Sequence, residues 1–357
     1  MAQFYNLKVK DIYKETDDCS VITFDVPEHL VKEFDFSQGQ HLTLKAEIDG
    51  EDVRRSYSLC SSPVENKWQV AVKQIPGGKF STFVNEELKA GQALEVMAPS
   101  GTFGVDVNAE ASKNYLFFAA GSGITPVISM IKTHLKQEPN STCKLFYVNK
   151  TAKSIIFKEE LEQLRNTYFG RLEIYYFLTQ EKRDIELFNG RFDDDKMKTL
   201  TKVFIDIPDT SEVFLCGPEK MVNYVSNYLV EAGLPKELVH FELFVTGLSE
   251  EDIKRQERLA QQNVEGVEIT IIDGGKEFNF TMTKDYDNIL DAALNAGADL
   301  PFACKGGVCS TCKCKVKSGE VEMKINYALE KEEIDQHLVL SCQAVPTTDK
   351  VVVDFDV

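Results

Sequence analysis

Hydrophobic and polar residues follow three different patterns along the chain, and the first pattern covers residues 1–105. Short runs rich in β-branched and aromatic residues lie at positions 23–26, 41–46, 57–60 and 68–73. Turn-forming pairs such as Asp49-Gly50 and Gly77-Gly78 separate these runs, which is typical of antiparallel strands. We therefore expect an antiparallel β-barrel or sandwich in this part of the chain.

From residue 112 to residue 244 the pattern changes to apolar strands that alternate with amphipathic helices. Residues 115–120 are a continuous apolar run of the kind found in buried parallel sheets. The remaining segments are strands at 143–148, 172–178 and 213–216 and helices at 127–135, 157–164 and 219–232. This alternation predicts a doubly wound α/β domain.

The third pattern begins after a polar stretch, residues 245–264, which we interpret as a partly helical linker between domains. Residues 265–357 then combine an alternating strand at 267–271, a helix at 289–296 and a β-rich end at 351–355. This order predicts a small α+β domain.

Composition and charge narrow the class of protein. No apolar run approaches the ~18 residues that a membrane span requires. The first residues lack the basic-then-apolar order of a signal peptide. A formal net charge of −17 argues against nucleic-acid binding, because phosphate backbones attract basic surfaces. We therefore expect a cytoplasmic protein that binds neither membrane nor nucleic acid.

The cysteines add specific chemistry. Five of the nine lie between positions 304 and 342, and Cys304, Cys309 and Cys312 have the spacing C-x4-C-x2-C, with Cys342 further along the chain. This is the plant-type arrangement for a [2Fe–2S] cluster, in which two irons take four converging thiolates. Zinc is the alternative, but structural zinc sites favour paired C-x2-C units. Cys314 alternates with lysines and is interpreted as a small buried residue of a strand.

Two further motifs are compatible with nucleotide cofactors, although each is weak by itself. The segment 121–126, Gly-Ser-Gly-Ile-Thr-Pro, lies between a buried strand and a helix, where backbone N–H groups suit a pyrophosphate. It lacks the third glycine of the dinucleotide motif, so a plain turn is an equal alternative. Residues 54–58, Arg-Arg-Ser-Tyr-Ser, offer charge, an aromatic ring and hydroxyls to a flavin, but Tyr57 could equally belong to the sheet core.

The order of these motifs is more specific than any one of them. Arg-x-Tyr-Ser, Gly-Lys-Phe-Ser, Gly-Ser-Gly-Ile-Thr-Pro, Cys-Gly-Pro and the cysteine motif follow one another along the chain. In this order residues 1–244 resemble the ferredoxin–NADP reductase family, with a plant-type ferredoxin fused behind. The most specific segments are 39–45, 54–60, 119–126, 304–314 and 340–344.

The resemblance implies an FAD-binding barrel, an NAD(P)-binding domain and a β-grasp ferredoxin domain with Cys304, Cys309, Cys312 and Cys342 as cluster ligands. The implied catalytic residues are Ser58, Cys216 and Glu242. The implied cofactor contacts are Arg55 for the FAD pyrophosphate, Tyr57 and Ser58 for the flavin ring, Gly78 and Ser81 on the phosphate side, Cys216 near the nicotinamide, Glu242 and Phe244 over the flavin, and in addition Lys73, Gly121, Gly123, Thr125, Pro126, Lys150, Lys153, Gly217 and Pro218.

The choice of nucleotide depends on the loop after the strand at 143–148. No carboxylate stands there to accept a hydrogen bond from a ribose 2′-hydroxyl, which argues against NADH. Lys150, Lys153 and Arg183 could instead pair with a 2′-phosphate, so we expect NADPH. Solvated surface lysines are the alternative interpretation, and NADH use stays open.

The resemblance further implies electron transfer from NADPH through FAD and the cluster to a separate di-iron oxygenase, such as one that epoxidises phenylacetyl-CoA. The ferredoxin segment has more acidic than basic residues, which suits docking on a basic partner. A ring- or steroid-hydroxylating oxygenase is the nearest alternative acceptor. A redox sensor without turnover is an alternative of another class.

Overall fold

The computed structural model describes residues 3–244, 250–262, 264–329 and 331–357. The chain divides into two compact units. One consists of Tyr5–Val53 with Tyr57–Phe244, and the other combines Phe4 and Arg54–Ser56 with the described residues from 250 onward. The first unit holds both the predicted barrel and the predicted α/β domain, and the second holds the predicted α+β domain. Within the described ranges, no helix combines the length and apolar character that crossing a bilayer would need.

Six strands form the barrel of the first unit. They are β1 (Phe4–Thr16), β2 (Cys19–Asp25), β3 (His41–Ile48), β4 (Glu51–Ser58), β5 (Trp68–Lys73) and β6 (Ala93–Met97), in the sheet order β4-β3-β6-β1-β2-β5. The pairs β1–β2, β2–β5 and β3–β6 are antiparallel. An antiparallel bridge between Leu59, directly after β4, and Val70 in β5 joins the two edges of the sheet. This closure confirms the predicted antiparallel barrel.

A short helix, α1 (Lys79–Glu86), interrupts the strands and was not expected from the sequence. Its Phe80 and Val84 are four residues apart and therefore lie on one face of the helix. Both side chains are buried in the barrel core with Val72 of β5 and Leu44 of β3. Helix α1 thus covers an opening of the barrel with apolar side chains.

Five parallel strands form the sheet of the α/β domain. They are β7 (Asn114–Ala120), β8 (Thr142–Asn149), β9 (Leu172–Leu178), β10 (Glu212–Gly217) and β11 (Val239–Leu243), in the order β11-β10-β7-β8-β9. All four neighbouring pairs are parallel, as the apolar run in β7 predicted. The helices are α2 (Ile124–Gln137), α3 (Lys158–Thr167), α4 (Asp194–Val203) and α5 (Glu219–Glu231). Strand order reverses at β7, so the carboxyl ends of β7 and β10 border the topological switch point.

Short 3₁₀ turns complete the first unit. They lie at Glu28–Leu30, Pro63–Glu65, Gly121–Gly123, Ala152–Ser154, Glu186–Phe188 and Lys236–Leu238. The turn Gly121–Gly123 leads directly from β7 into α2, as the sequence motif at 121–126 predicted.

Helix α2 fastens the α/β domain to the barrel through a set of buried polar contacts, which we call the α2 seam. Its contacts are Ser129 Oγ to Ser61 O (2.7 Å), Lys132 Nζ to Cys60 O (3.2 Å), Thr133 Oγ1 to Ser62 Oγ (2.7 Å), and Lys132 Nζ to carboxylate oxygens of Glu160 (2.5 Å) and Glu65 (3.6 Å). Burial lowers the pKa of Lys132, but the two carboxylates outweigh it and the net shift is upward. The seam therefore contains a permanently charged, fully partnered ammonium.

In its described residues, the second unit combines a five-stranded sheet with three helices. Its elements are α6 (Glu250–Leu259), β12 (Val267–Asp273), β13 (Lys276–Met282), α7 (Ile289–Asn295), β14 (Lys313–Ser318), β15 (Val321–Met323), α8 (Lys331–Asp335), β16 (Leu338–Leu340), β17 (Ala344–Pro346) and β18 (Lys350–Asp354). The sheet order is β13-β12-β18-β14-β16, in which β12 and β18 are parallel and the other pairs antiparallel. Strands β15 and β17 form a separate pair.

Helix α7 packs its apolar face on this sheet. Ile289 and Ala293 are completely buried in one core cluster with Met282 of β13 and Ala344 of β17. A mixed sheet with one packed helix is the β-grasp arrangement that the resemblance implied. Helix α6 lies inside the predicted linker, of which residues 245–249 and 263 lie outside the described residues.

Candidate functional site

Two glycine-containing turns meet at the carboxyl edge of the parallel sheet. One follows β7 and contains Gly121 and Gly123, and the other follows β10 and contains Gly217. A Cβ atom added to Gly123 would lie 2.2 Å from the carbonyl oxygen of Cys216, so no side chain fits between the two turns. Thr125 braces the first turn, since its Oγ1 donates to Ser122 O at 3.0 Å. We call this edge, together with Ser58 and Glu242, the switch-point site.

Ser58 and Glu242 reach the switch-point site from distant parts of the sequence. Ser58 is the buried last residue of β4, and its Oγ donates to Glu242 Oε2 at 3.4 Å. Glu242 on β11 pairs in register with Cys216 on β10. Phe244 follows β11, and its backbone N–H donates to Gly217 O at 3.0 Å. The three residues expected to be catalytic are therefore brought together.

Cys216 is completely buried, and this determines what its thiol can do. Burial raises the pKa of the thiol well above its usual value, and the charge of Glu242 raises it further. The thiol is therefore protonated at neutral pH and is no thiolate nucleophile. The thiol is therefore a neutral, buried group near the carboxyl end of β10.

The residues expected to contact the flavin lie on the barrel. The ring of Tyr57 is half-buried, with its centroid 5.8 Å from that of Phe80 on α1. Arg55 is exposed on β4, and its Nη1 donates to the carbonyl of Arg54 at 2.7 Å. Tyr57 is thus placed beside an aromatic neighbour with part of its ring accessible. That arrangement suits stacking on a flat ring system.

Gly78 and Ser81, predicted on the phosphate side, and Lys73 each have a different local role. Ser81 is buried, its Oγ accepts from Ile75 N and donates to Gly78 O, both at 3.2 Å. Gly78 is the N-cap of α1, so Ser81 shapes the turn through which a phosphate would approach. Lys73, at the end of β5, pairs with Asp18 at 3.5 Å. The ammonium of Lys73 is therefore already engaged by a carboxylate.

The predicted 2′-phosphate contacts separate into two groups. Lys150 and Lys153 are both exposed on the loop after β8. The guanidinium of Arg183 instead donates to Tyr176 O at 2.7 Å and lies over the ring of Phe188. Lys150 and Lys153 are therefore accessible to a ligand, whereas the guanidinium of Arg183 is held by Tyr176 and Phe188.

Sequence reasoning missed one residue that holds the loop after β8 in place. The carboxylate of Glu181 accepts from the backbone N–H of Ala152 at 2.8 Å and so holds the loop between Lys150 and Lys153. Glu181 lies just after the end of β9, the strand that is next to β8 in the sheet. Only knowledge of strand order could have joined these two positions, because nothing in the local sequence does so.

Residues 304–312, which we call the cysteine loop, carry three of the four cysteines, and Cys342 follows β16. The Cys304 thiol hydrogen-bonds to Cys309 and lowers the pKa of Cys309, and the Cys312 thiol does the same for Cys342. The four cysteines are thus arranged as two pairs. Two pairs match a centre in which each of two irons takes two thiolates.

N–H donors surround the sulfurs of these cysteines. Gly306 N lies 3.3 Å from Cys304 Sγ, and Cys304 N lies 3.5 Å from Cys309 Sγ. Such donors stabilise thiolate charge, so the donor set fits an iron–sulfur cluster. Among the described residues, no three His, Cys, Asp or Glu side chains are grouped for a single ion. Cys314 is completely buried on β14, and burial raises the pKa of its thiol.

Family models match all three regions of the chain. An oxidoreductase FAD-binding domain matches residues 6–104, an oxidoreductase NAD-binding domain matches 117–227, and a 2Fe-2S iron–sulfur cluster binding domain matches 271–347. The predicted FAD, NAD(P)H and [2Fe–2S] cofactors are thereby confirmed. The predicted domain boundaries stay predictions.

Relatives match over the full length. The chain is 43% identical to a component of 1,2-phenylacetyl-CoA epoxidase from Escherichia coli (strain K12), covering 100% of this chain and 99% of that protein. It is 32% identical to the ferredoxin reductase component of 3-ketosteroid-9-alpha-monooxygenase from Rhodococcus rhodochrous, covering 98% and 96%. The solved structure of phthalate dioxygenase reductase shares the fold at 24% identity with a TM-score of 0.60, covering 99% and 98%. The chain therefore belongs to the family of NAD(P)H-dependent reductase components of oxygenase systems, which carry an FAD-binding, an NAD-binding and a 2Fe-2S domain.

Proposed function

We propose that this chain takes electrons from NADPH and delivers them, through FAD and a [2Fe–2S] cluster, to a di-iron oxygenase that acts on phenylacetyl-CoA. The observation that supports this acceptor is the 43% identity, over the whole chain, to a protein named as a component of 1,2-phenylacetyl-CoA epoxidase. The reductases named for steroid and glycine betaine oxygenases are 32% and 31% identical. The epoxidase-like acceptor is therefore favoured over the other two.

On the barrel, Tyr57 and Arg55 would hold FAD. The accessible face of Tyr57 would stack on the flavin ring, and Arg55 would place its charge against the pyrophosphate. FAD, when bound, accepts a hydride from the nicotinamide, and the cluster takes up electrons one at a time. The work of the protein is to bring the rings into contact and to keep water away from them.

At the switch-point site, the turns that contain Gly123 and Gly217 would admit the nicotinamide nucleotide. The close approach of Gly123 to the Cys216 carbonyl supports this role, because it keeps the floor of the site free of side chains. Ser58 would hold its proton at Oγ toward Glu242, and this hydrogen bond fixes the hydroxyl orientation. The neutral thiol of Cys216 would pack beneath the nicotinamide.

In the second unit, Cys304, Cys309, Cys312 and Cys342 would ligate the cluster. The spacing C-x4-C-x2-C with a distant fourth cysteine supports a dinuclear centre over a single zinc ion. The backbone N–H of Gly306 would donate to the Cys304 sulfur and stabilise its charge.

The nucleotide would be NADPH, with Lys150 and Lys153 as partners of the 2′-phosphate. Both ammonium groups are exposed on the loop after β8, and the carboxylate that reaches this loop, Glu181, accepts from the backbone N–H of Ala152. Lysine pairs with phosphate as a point charge and lacks the bidentate grip of arginine, so some use of NADH is expected.

The test is an anaerobic titration of the purified, coloured protein, first with NADPH and then with NADH, followed by transfer to an acceptor. Reconstitution with the di-iron oxygenase from the same organism should give NADPH oxidation that depends on phenylacetyl-CoA. Steroid- and ring-hydroxylating oxygenases serve as matched acceptors. Coupled turnover with one of these and none with the epoxidase would contradict the proposed acceptor and leave the reductase class intact.

A redox sensor without turnover is tested in the same preparation. The reductase proposal expects rapid bleaching of the flavin by NADPH and continuous reduction of cytochrome c. A protein that is bleached once and reduces no added acceptor would be a sensor or an electron store.

A further inference from the structure

The two residues that flank Cys342 both hold the cysteine loop. Ser341 Oγ donates to the carbonyl of Cys312 at 2.9 Å. On the other side, Gln343 Nε2 donates to the carbonyl of Lys305 at 2.8 Å. Both residues are buried: Ser341 completely, and Gln343 with 4% of its surface exposed. The segment with the fourth cysteine is therefore tied to both ends of the loop with the other three.

The orientation of the Gln343 amide is fixed by its partner. A carbonyl oxygen only accepts hydrogen bonds, so the atom 2.8 Å from Lys305 O must be the amide nitrogen. The same nitrogen lies 3.6 Å from Cys342 Sγ, where its second hydrogen can point at the sulfur. One NH2 group thus serves both a loop carbonyl and the sulfur of Cys342.

The other end of the amide indicates why the residue is there. Gln343 Oε1 is buried and has no hydrogen-bond partner among the residues that the structure describes. An unsatisfied buried oxygen is destabilising, and an apolar side chain of similar size would avoid it. The two N–H contacts of Nε2 therefore offset the destabilising effect of the unsatisfied Oε1.

We propose that Gln343 is a positioning residue of the iron–sulfur centre, which locks the cysteine loop to Cys342 and raises the midpoint potential by donating an N–H to the Cys342 sulfur. This inference deepens the proposed function and rests on the four cysteines being the cluster ligands. Reduction adds negative charge to a cluster, so a donor to one of its sulfurs favours the reduced form. Ser341 has the locking role alone, because the hydrogen bond of its hydroxyl goes to the carbonyl of Cys312.

The experiment compares the full-length holoprotein with two variants by redox titration, following the EPR signal of the reduced cluster. Gln343→Leu keeps the approximate volume and removes both N–H groups, whereas Ser341→Ala removes a loop contact and leaves the sulfur donor. We expect Gln343→Leu to shift the one-electron equilibrium toward the oxidised cluster by up to about tenfold, or ~59 mV. Ser341→Ala should keep the wild-type potential. Both variants should lose the cluster faster in the presence of a chelator, by at least twofold.

A wild-type potential in cluster-loaded Gln343→Leu would overturn the inference, as would an equal shift in Ser341→Ala, which would assign the effect to loop geometry. If Gln343→Leu retains no cluster, the wild-type protein labelled with [side-chain ¹⁵N]glutamine decides the question. Pulsed EPR of the reduced cluster should then show coupling to ¹⁵N, and its absence would overturn the proposed contact. A wild-type protein that holds no cluster would remove the proposed function together with this inference, which separates the two failures.

Discussion

Three of the four proposed cluster ligands lie within the nine residues of the cysteine loop, whereas the switch-point site draws Ser58 and Glu242 from positions 184 residues apart. The cysteine loop is shaped by local turns and by hydrogen bonds from Ser341 and Gln343, which lie 29 and 38 residues from their partners in the chain. The switch-point site exists only when the barrel and the parallel sheet are folded against each other along the α2 seam. A local site is defined by its sequence spacing, and a long-range site is defined by the fold. Substitutions in one region should therefore change the properties of that region and leave those of the other unchanged.

The largest effect is expected from removing a proposed cluster ligand. Cys309→Ser should abolish the visible absorption of the cluster and nearly all cytochrome c reduction, because one iron loses a thiolate. Flavin reduction by NADPH should continue at the wild-type rate, measured by stopped-flow bleaching. Cys314→Ala is the matched control, since Cys314 is completely buried on β14 and should leave the cluster spectrum unchanged. Loss of the cluster absorption in Cys314→Ala, with the flavin retained, would contradict the proposed ligand set.

The second effect concerns the close approach of the two turns. Gly123→Ala would place a Cβ 2.2 Å from the Cys216 carbonyl oxygen, so the turns must separate. A misplacement of this size should slow flavin reduction by about 100-fold while the cluster stays loaded. The check is stopped-flow reduction beside the cluster spectrum. Ser122→Ala in the same turn is the control and should reduce at nearly the normal rate.

The third effect tests the contact between Ser58 and Glu242. Glu242→Gln keeps the shape of the side chain and removes its charge, which weakens the hydrogen bond that orients Ser58. We expect flavin reduction to slow by about 10- to 100-fold, the range that corresponds to the loss of a charge-assisted hydrogen bond. Exposed Glu237→Gln is the control. Equal rates in both variants would exclude a role of Glu242 in hydride transfer.

A smaller effect is expected at the loop after β8. The double variant Lys150→Gln/Lys153→Gln should raise the KM for NADPH by about tenfold and leave the KM for NADH unchanged, because only NADPH carries the 2′-phosphate. Steady-state kinetics with both nucleotides measure this ratio. Lys198→Gln/Lys202→Gln on α4 removes the same charge elsewhere and should change neither value. Equal effects on both nucleotides would remove the proposed 2′-phosphate contact.

The smallest effect is a pH dependence confined to the first unit. His134 is completely buried with its Nδ1 3.1 Å from Glu138 Oε1, and burial lowers the pKa of His134 more than the carboxylate raises it. The unfolded chain then binds a proton that the folded chain does not, so stability falls as the pH drops below ~6.5. The temperature of flavin release should therefore decrease from pH 7.5 to 5.5. His134→Gln should show a flatter dependence, and identical slopes would contradict the assignment.

The sequence predicted the elements that consist of short, mostly apolar runs bounded by turns. Strand β9 was predicted with its observed bounds because it is apolar apart from Glu173. The apolar run of β7, which is buried on both faces, was predicted within one residue. Strand β1 was missed because its polar residues dominate a long, half-exposed strand. Helices α1 and α4 were missed, and α1 is only eight residues long.

The same contrast applies to the sites. The cysteine spacing indicated the proposed ligands because the loop is local, and the family resemblance, not the residues themselves, indicated Ser58 with Glu242. Glu181 and Gln343 were missed because their roles depend on contacts with backbone groups, which no side-chain pattern records. The glutamine directly after Cys342 was visible in the sequence, but only its contacts with Lys305 and the sulfur give it a function.

The α2 seam has a consequence for how this chain can diverge. Surface loops usually tolerate changes in length because nothing depends on their backbone. The loop that follows β4 is an exception, since the carbonyls of Cys60 and Ser61 are the acceptors for Lys132 and Ser129. A single inserted residue would move these acceptors out of step with α2, the helix that begins at the nucleotide turn. We therefore expect this loop to keep its length among relatives, while the turn at Asp49-Gly50 is free to grow.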